Sequence, residues 1–379
     1  MQKLSLIFSD TEFGEGDNTD DFIEDDLLNK EIEKNFKFLN QYPTELILNG
    51  DTFDFLKAPY KGHHPRHITE TISLWKLEKI YQAHPGIFKT LGKFLKIDPR
   101  SKIIFIPGNH DFDLVFPKVQ KRVRELITEK KQFGRIIFAG FEYTSGLVHI
   151  EHGSQFDIFF KVNPDKIIYD TKNQIIGEPF LLTPWGYNAI YEHYLAIKEE
   201  FPLLERLVPR ARTFELLPFK LKKRLLLGTA LYMLKSFFIT QFIHRKDPTY
   251  KFTLLEFKKY VTNFIKGEYE LHIDKRAKRK LRKNKFQVIS YGHNHKGFIR
   301  KHKKKWILNT ASWRDEYYLS ERDQKYHPKI KNYGFIIHDK EKINQIRLVE
   351  VKSKQRSISV KELKDLARKK IDLGRRIPK

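Results

Sequence analysis

Five short apolar runs, rich in β-branched residues, are each followed at once by Asp, Glu, Asn or His. This repetition constrains the fold more than any other feature of the chain. The runs are Leu4-Ser5-Leu6-Ile7-Phe8 before Asp10-Thr11-Glu12, and Leu46-Ile47-Leu48 before Gly50-Asp51-Thr52-Phe53-Asp54. Next come Ile103-Ile104-Phe105-Ile106 before Gly108-Asn109-His110-Asp111, and Leu147-Val148-His149-Ile150 before Glu151-His152-Gly153. The last is Val288-Ile289-Ser290 before Gly292-His293-Asn294-His295. Runs of this length read as buried strands of an α/β sheet. The polar residues then sit in turns at the strands' carboxyl ends, where open α/β sheets bind ligands. Glycine lets the backbone turn tightly there.

The donors on offer are carboxylate and amide oxygens and imidazole nitrogens, and the chain contains no cysteine. Disulfides and thiolate zinc sites are therefore excluded. Oxygen and nitrogen donors suit Mn, Fe, Zn or Mg rather than a soft metal. A dinuclear centre is the simplest use for so many.

The ordered set Asp10, Gly50-Asp51-x-x-Asp54, Gly108-Asn109-His110-Asp111, His152-Gly153 and Gly292-His293-x-His295 resembles the five signature blocks of the calcineurin-like metallophosphoesterases. The resemblance implies a four-layer α/β sandwich, two mixed β-sheets flanked by helices, here with a large helical insertion. It also implies two divalent ions, Mn fitting best, with Fe, Zn and Mg as alternatives. Asp51 would bridge the ions, Asp10, Glu12 and His295 would serve the first, and Asn109, His152 and His293 the second. His110, oriented by Asp54, would act on the phosphoryl group or leaving oxygen, and Asp111 would support the ligands without touching an ion. The first block departs from the family's usual Asp-x-His. Glu12 either ligates, favouring a harder ion such as Mn or Mg, or turns away. After the fifth block, Trp306-Ile307-Leu308-Asn309-Thr310-Ala311-Ser312-Trp313 is similar, more weakly, to the closing strand of the UDP-2,3-diacylglucosamine hydrolases, a branch with an acyl-binding helical lid.

The alternation divides the chain into a core, residues 1–156 plus 286–351, a helical insertion at 157–285 that reads as a lid for substrate or membrane, and a basic tail at 352–379. Leu225 to Ile243 carries one charge, Lys235, between Lys220-Leu221-Lys222-Lys223-Arg224 and His244-Arg245-Lys246. Its length approaches a membrane span, but a single crossing would put His293 and His295 on the wrong side of the bilayer from Asp51. That leaves a buried helix, an interfacial helix or a re-entrant hairpin. On a helical wheel Gly228, Thr229, Tyr232, Lys235, Ser236 and Thr240 gather on one side. Thr253-x-x-Glu256 is a capping box before Phe257, Tyr260, Val261, Phe264 and Ile265, and Ser359-x-x-Glu362 is another, before Leu363, Leu366, Ala367 and Ile371.

Charge bears on partners. There are 72 Lys plus Arg against 47 Asp plus Glu, a net charge of +25. The excess favours polyanions: an anionic membrane surface, nucleic acid or a phosphorylated substrate. Basic runs at 275–285 and 300–305 flank the fifth block, whereas acids gather from Asp10 to Asp26, some of them opening a helix. His63, His64 and His67 lie in a Pro- and Gly-containing loop, as ordinary exposed histidines or as substrate contacts of the kind such loops carry. The amino terminus has no apolar signal core, so the expected location is the cytoplasm or the inner face of its membrane. The expected activity is hydrolysis of a phosphoester or phosphoanhydride, best matched to a lipid-linked substrate. The alternatives are a nuclease or nucleotide phosphodiesterase, and a degenerate metal-binding scaffold.

Overall fold

A computed structural model describes residues 1–170, 176–217, 219–244, 246–250, 258, 262 and 271–369. The first three apolar runs are the parallel strands β1 (Lys3–Phe8), β2 (Thr44–Asn49) and β3 (Lys102–Ile106), adjacent in that order. β4 (Ile136–Phe138) continues the sheet on one side, while Lys331–His338 pairs antiparallel with β1 and carries Ile343–Val351 at the other edge. A second sheet runs Phe298–His302, Lys305–Asn309, Val288–Tyr291, β6 (Val148–Glu151) and β5 (Glu142–Ser145). Within it, Val288–Tyr291 is parallel to both its neighbours.

Side chains alternate along a strand, which explains why these runs are apolar throughout. Ile7, Ile47, Ile104 and Ile336 of the first sheet form one cluster with Val148, Ile150, Val288 and Leu308 of the second. The alternate residues Leu6, Phe8, Leu46, Leu48, Ile103 and Phe105 meet the helices α1 (Asp25–Lys34), α2 (Glu70–Ala83), α3 (Pro85–Ile97) and α4 (Pro117–Ile127). Strands buried on both faces read as continuous apolar runs. In the second sheet, Ile289, Tyr291 and Ile307 pack on Ile273, Ala277 and Leu281 of the helix Leu271–Lys283.

Asp25 and Asp26 open α1, where negative charge favours the positive end of the helix dipole. Asp25 also tethers the junction of α2 and α3: the buried His84 ring meets Asp25 Oδ1 at 2.7 Å and Asp20 Oδ2 at 2.9 Å. Burial favours the neutral imidazole, but the two carboxylates outweigh it and raise the His84 pKa from 6.5 to about 9. A pKa raised on folding stabilises fully below the unfolded value and is lost as pH rises through the folded one. The melting-temperature gap between wild type and His84→Gln is therefore expected to be widest at pH 6 and to close above pH 9. A gap that stays constant across that window would remove the imidazolium from the account.

The insertion contributes the helices Trp185–Ala189, Leu195–Glu200, Arg210–Leu216 and Phe219–Phe238. A small sheet joins it to the chain's end. Leu207–Val208 pairs with Tyr317–Ser320, which pairs with Lys325–Pro328, which pairs with Ile358–Ser359. Phe201, Leu203, Leu207, Tyr317, Tyr326, Ile358 and Leu363 share one apolar cluster, so the tail is seated on the insertion. The capping box Thr253-x-x-Glu256, the apolar positions from Phe257 to Ile265 and Ile371 of the tail lie outside the described residues. Among the described residues, no helix is long and apolar enough to cross a membrane.

Candidate metal centre

Asp10, Asp51, Asn109, His152, His293 and His295 all lie just past the ends of β1, β2, β3, β6 and Val288–Tyr291. Main-chain bonds knit these turns together. Asp10 N donates to Gly50 O at 3.1 Å and Gly292 N to His152 O at 2.9 Å. His110 N donates to Asp51 Oδ1 at 2.7 Å, and His293 N to Asp10 Oδ1 at 3.1 Å. The packing is close enough that a Cβ at Gly108 would fall 2.2 Å from Asp51 Oδ1.

Five of the candidate residues hold a left-handed backbone: Asp10 (φ 51°), Glu12 (50°), Asp51 (49°), His293 (67°) and His295 (55°). Such conformations are uncommon outside glycine and cost on the order of 1–3 kcal/mol each, strain that gathers where function demands it. Here it turns side chains from separate strands toward one place. His152 Nε2 lies 3.1 Å from Asp51 Oδ2 and 4.0 Å from Asp10 Oδ1. His295 Nε2 lies 3.2 Å from Asp10 Oδ1. Asp51, His152 and His293 each present a donor atom within 4.8 Å of the others.

The imidazoles are oriented from behind, as ligating histidines are. Asn49 O holds His152 Nδ1 at 3.0 Å, Glu316 Oε1 holds His295 Nδ1 at 2.7 Å, and Asp157 Oδ2 holds His293 Nε2 at 3.0 Å. One nitrogen of each ring is thereby left for the centre. Asn109 Oδ1 is buried with no hydrogen-bond partner among the described residues, and the buried His152 Nε2 meets a carboxylate oxygen, Asp51 Oδ2, at 3.1 Å. Buried oxygens are rarely left as Asn109 Oδ1 is, and a divalent ion would satisfy it. The donor set and this orphaned oxygen fit a divalent metal.

Electrostatics agree. Burial opposes ionisation of Asp51, yet His152 and His110 hold its pKa well below the usual carboxylate range. Burial and then the charge of Asp51 push Asp111 up to about 7. Its oxygens accept from Gly108 N at 2.5 Å and Thr52 N at 2.8 Å, so it braces two turns. His110 Nδ1 meets Asp54 Oδ1 at 2.9 Å, the pairing expected of an oriented acid.

Glu12 stands beside the centre but is held by cations. Arg314 Nη1 reaches its two oxygens at 3.2 and 3.1 Å, and Lys57 Nζ lies 2.9 Å from Oε2. His295 Nε2 is 3.8 Å from Oε1. The network runs on through Lys57 to Asp21 at 2.8 Å and through Lys198 to Asp21 and Glu205, tying the insertion to the core. Arg314, Lys57, Glu316 and Asp157 escaped the motif reading. The only signal for two of them was the polar triplet Arg314-Asp315-Glu316 after Trp313.

The centre opens into a cavity of about 880 Å³. Glu12, Asp51, Asn109, His110, His293, His295 and Arg314 line it together with Phe160, Trp185, Ile190, Phe214, Leu225 and Met233. The loop carrying His63, His64 and His67 is not part of this wall. It braces the insertion instead, with His67 Nε2 2.7 Å from Asp247 Oδ2 and Arg66 Nε donating to Thr249 Oγ1 at 3.1 Å.

No protein-family model matches the chain, and no curated protein does. Among solved structures, the chain is similar to an archaeal phosphodiesterase, at 12% identity over 92% of this chain and 99% of that one, with a TM-score of 0.29. It is also similar to a protein from Streptococcus pneumoniae described as a predicted phosphoesterase, at 10% identity over 93% and 99%, TM-score 0.24. A third is the phosphopantetheinyl hydrolase of Mycobacterium tuberculosis, at 10% identity over 82% and 90%, TM-score 0.23.

Proposed function

We propose that this chain is a binuclear metal-dependent hydrolase of a phosphoester or phosphoanhydride whose substrate carries a lipid-like apolar part. In this reading the core is a four-layer metallophosphoesterase sandwich and the insertion is its substrate lid. One observation carries the proposal: the candidate ligands and the apolar side chains of the insertion are walls of the same cavity. Its volume falls within the roughly 300–1,000 Å³ usual for small-molecule sites.

Asp51 would sit between two ions, with Asp10 and His295 on one side and Asn109, His152 and His293 on the other. Manganese suits this mixed oxygen and nitrogen set. Bound divalent ions supply Lewis acidity toward phosphoryl oxygens and a water acidic enough to attack near neutral pH. The protein's own part is positional. Asp54 fixes one nitrogen of His110, leaving the other to donate a proton to the departing oxygen. Phe160, Ile190, Leu225 and Met233 exclude water and would hold an acyl chain.

The test is metal content and hydrolysis of a bis-aryl phosphodiester by protein loaded with manganese, followed by comparison of acylated and deacylated phosphodiesters. Two ions per chain and a lower KM for the acylated substrate are expected. Equal KM values would remove the apolar part of the reading, and neither metal nor hydrolysis would favour the scaffold, the reading to which the clamp on Glu12 lends weight. Leu225→Gln is expected to raise KM for the acylated substrate about tenfold, the scale of roughly 1.4 kcal/mol of lost apolar contact, and to leave the short substrate unchanged.

A further inference from the structure

The helix Phe219–Phe238 is set into the protein inside out. Its polar side faces inward: His193 Nε2 lies 3.2 Å from Thr229 Oγ1, Tyr232 Oη donates to Glu192 at 2.7 Å, and Trp185 Nε1 donates to Ser236 Oγ at 3.1 Å. Its other side leaves Leu226, Leu227, Leu231, Leu234 and Phe238 exposed by 51–66%. Phe242 and Ile243 follow at 70% and 69%. A helix on a water-facing surface buries its apolar stripe and exposes its polar one. Residues 227, 231, 234 and 238 follow helical spacing and share one face, so the exposure is a contiguous stripe rather than scattered single residues.

The charge within the segment has one sign. No acidic residue occurs between Phe219 and Lys246, while Lys223, Lys235 and Lys246 are exposed; the acids that meet this helix from outside, Glu192 and Glu200, are engaged by Tyr232 and Arg224. We propose that this face docks on an anionic lipid bilayer, with the helix lying in the plane of the interface and Leu227, Leu231, Leu234 and Phe238 entering the boundary between headgroups and acyl chains. An apolar stripe with lysines is complementary to that surface and to no purely aqueous one. The helix is not apolar enough to cross a membrane, and candidate ligands lie in sequence on both sides of it. Leu225 and Met233 of the same helix line the cavity, so docking would place the cavity beside the bilayer. That last step rests on the proposed hydrolase; the docking itself does not.

Flotation with phosphatidylglycerol-containing vesicles and with pure phosphatidylcholine vesicles tests it. Wild type is expected to float with the anionic vesicles, and the bound fraction to fall at least tenfold in Leu227→Ser/Leu231→Ser/Leu234→Ser. The triple variant should keep the wild-type melting temperature and hydrolysis of a soluble aryl phosphodiester. Because the chain has no cysteine, Leu231→Cys carrying an environment-sensitive dye gives a second reading. Its emission should shift to the blue on adding anionic vesicles. No flotation by wild type, or equal flotation by the triple variant, overturns the proposal. So does a wild-type dimer lost in the triple variant without lipid binding, which would make the face a contact between copies. Absence of hydrolysis with flotation intact would sink the enzyme reading and leave the docking standing.

Discussion

Asp51→Asn is expected to lower phosphodiester hydrolysis by about 10³-fold and to reduce bound manganese from the two ions per chain proposed above to one or none. The magnitude is that of removing a group preorganised for charge in the transition state. Asp51 is buried, its Oδ1 accepts from His110 N at 2.7 Å, and its Oδ2 lies 3.1 Å from His152 Nε2. Oδ2 thus faces the His152 side of the centre, while Oδ1 is held by the turn that carries Asn109 and His110. Asparagine keeps the shape and can still accept from His110 N, so the fold should survive with little change in melting temperature. What it loses is one negative charge and one good donor. Asp111, whose pKa the Asp51 charge helps to raise, should ionise more readily in the variant. Metal analysis after dialysis and steady-state kinetics at saturating manganese are the two readouts. Full stoichiometry and near-normal turnover in Asp51→Asn would detach the chemistry from this residue.

The parts legible in the sequence were those written in local pattern. β1, β2, β3, β6 and Val288–Tyr291 announced themselves as apolar runs because both faces of each strand are covered, and the polar turns after them are where the candidate ligands lie. Asp157, Glu316, Lys57 and Arg314 were not legible, since each earns its place through an approach between distant segments. Lys57 and Arg314 meet Glu12 across 45 and 302 residues. The strands Leu207–Val208 and Ile358–Ser359 are two residues long, too short for a period of two to register. Of the residues the helical wheel put on one side of Phe219–Phe238, Gly228, Thr229, Tyr232 and Ser236 meet protein, whereas Lys235 is exposed. Which side meets protein is decided by Trp185, Glu192 and His193 of a different segment of the insertion, and no periodicity carries that information.

Arg314→Met should destabilise the protein by about 3–5 kcal/mol, the cost of removing one partner from a buried ion pair. For a chain of this size that lowers the melting temperature by roughly 4–6 °C. Both residues are buried, and Arg314 also donates to Glu316 and to Glu205 O, so its loss strands several acceptors at once. Glu12→Gln should be destabilising for the mirror reason, leaving Arg314 and Lys57 short of a counter-charge. In the double variant Glu12→Gln/Arg314→Met the uncompensated charges are removed together. A coupling of about 1–3 kcal/mol, with the double variant less destabilised than the two single changes added, is therefore expected. The same set of proteins decides what Glu12 is for. If Glu12 serves as counter-charge to the clamp, the double variant binds as many manganese ions as wild type. A double variant that recovers stability yet holds one ion fewer would place Glu12 among the ligands, and the Asp-x-Glu block would then be a working variant of Asp-x-His.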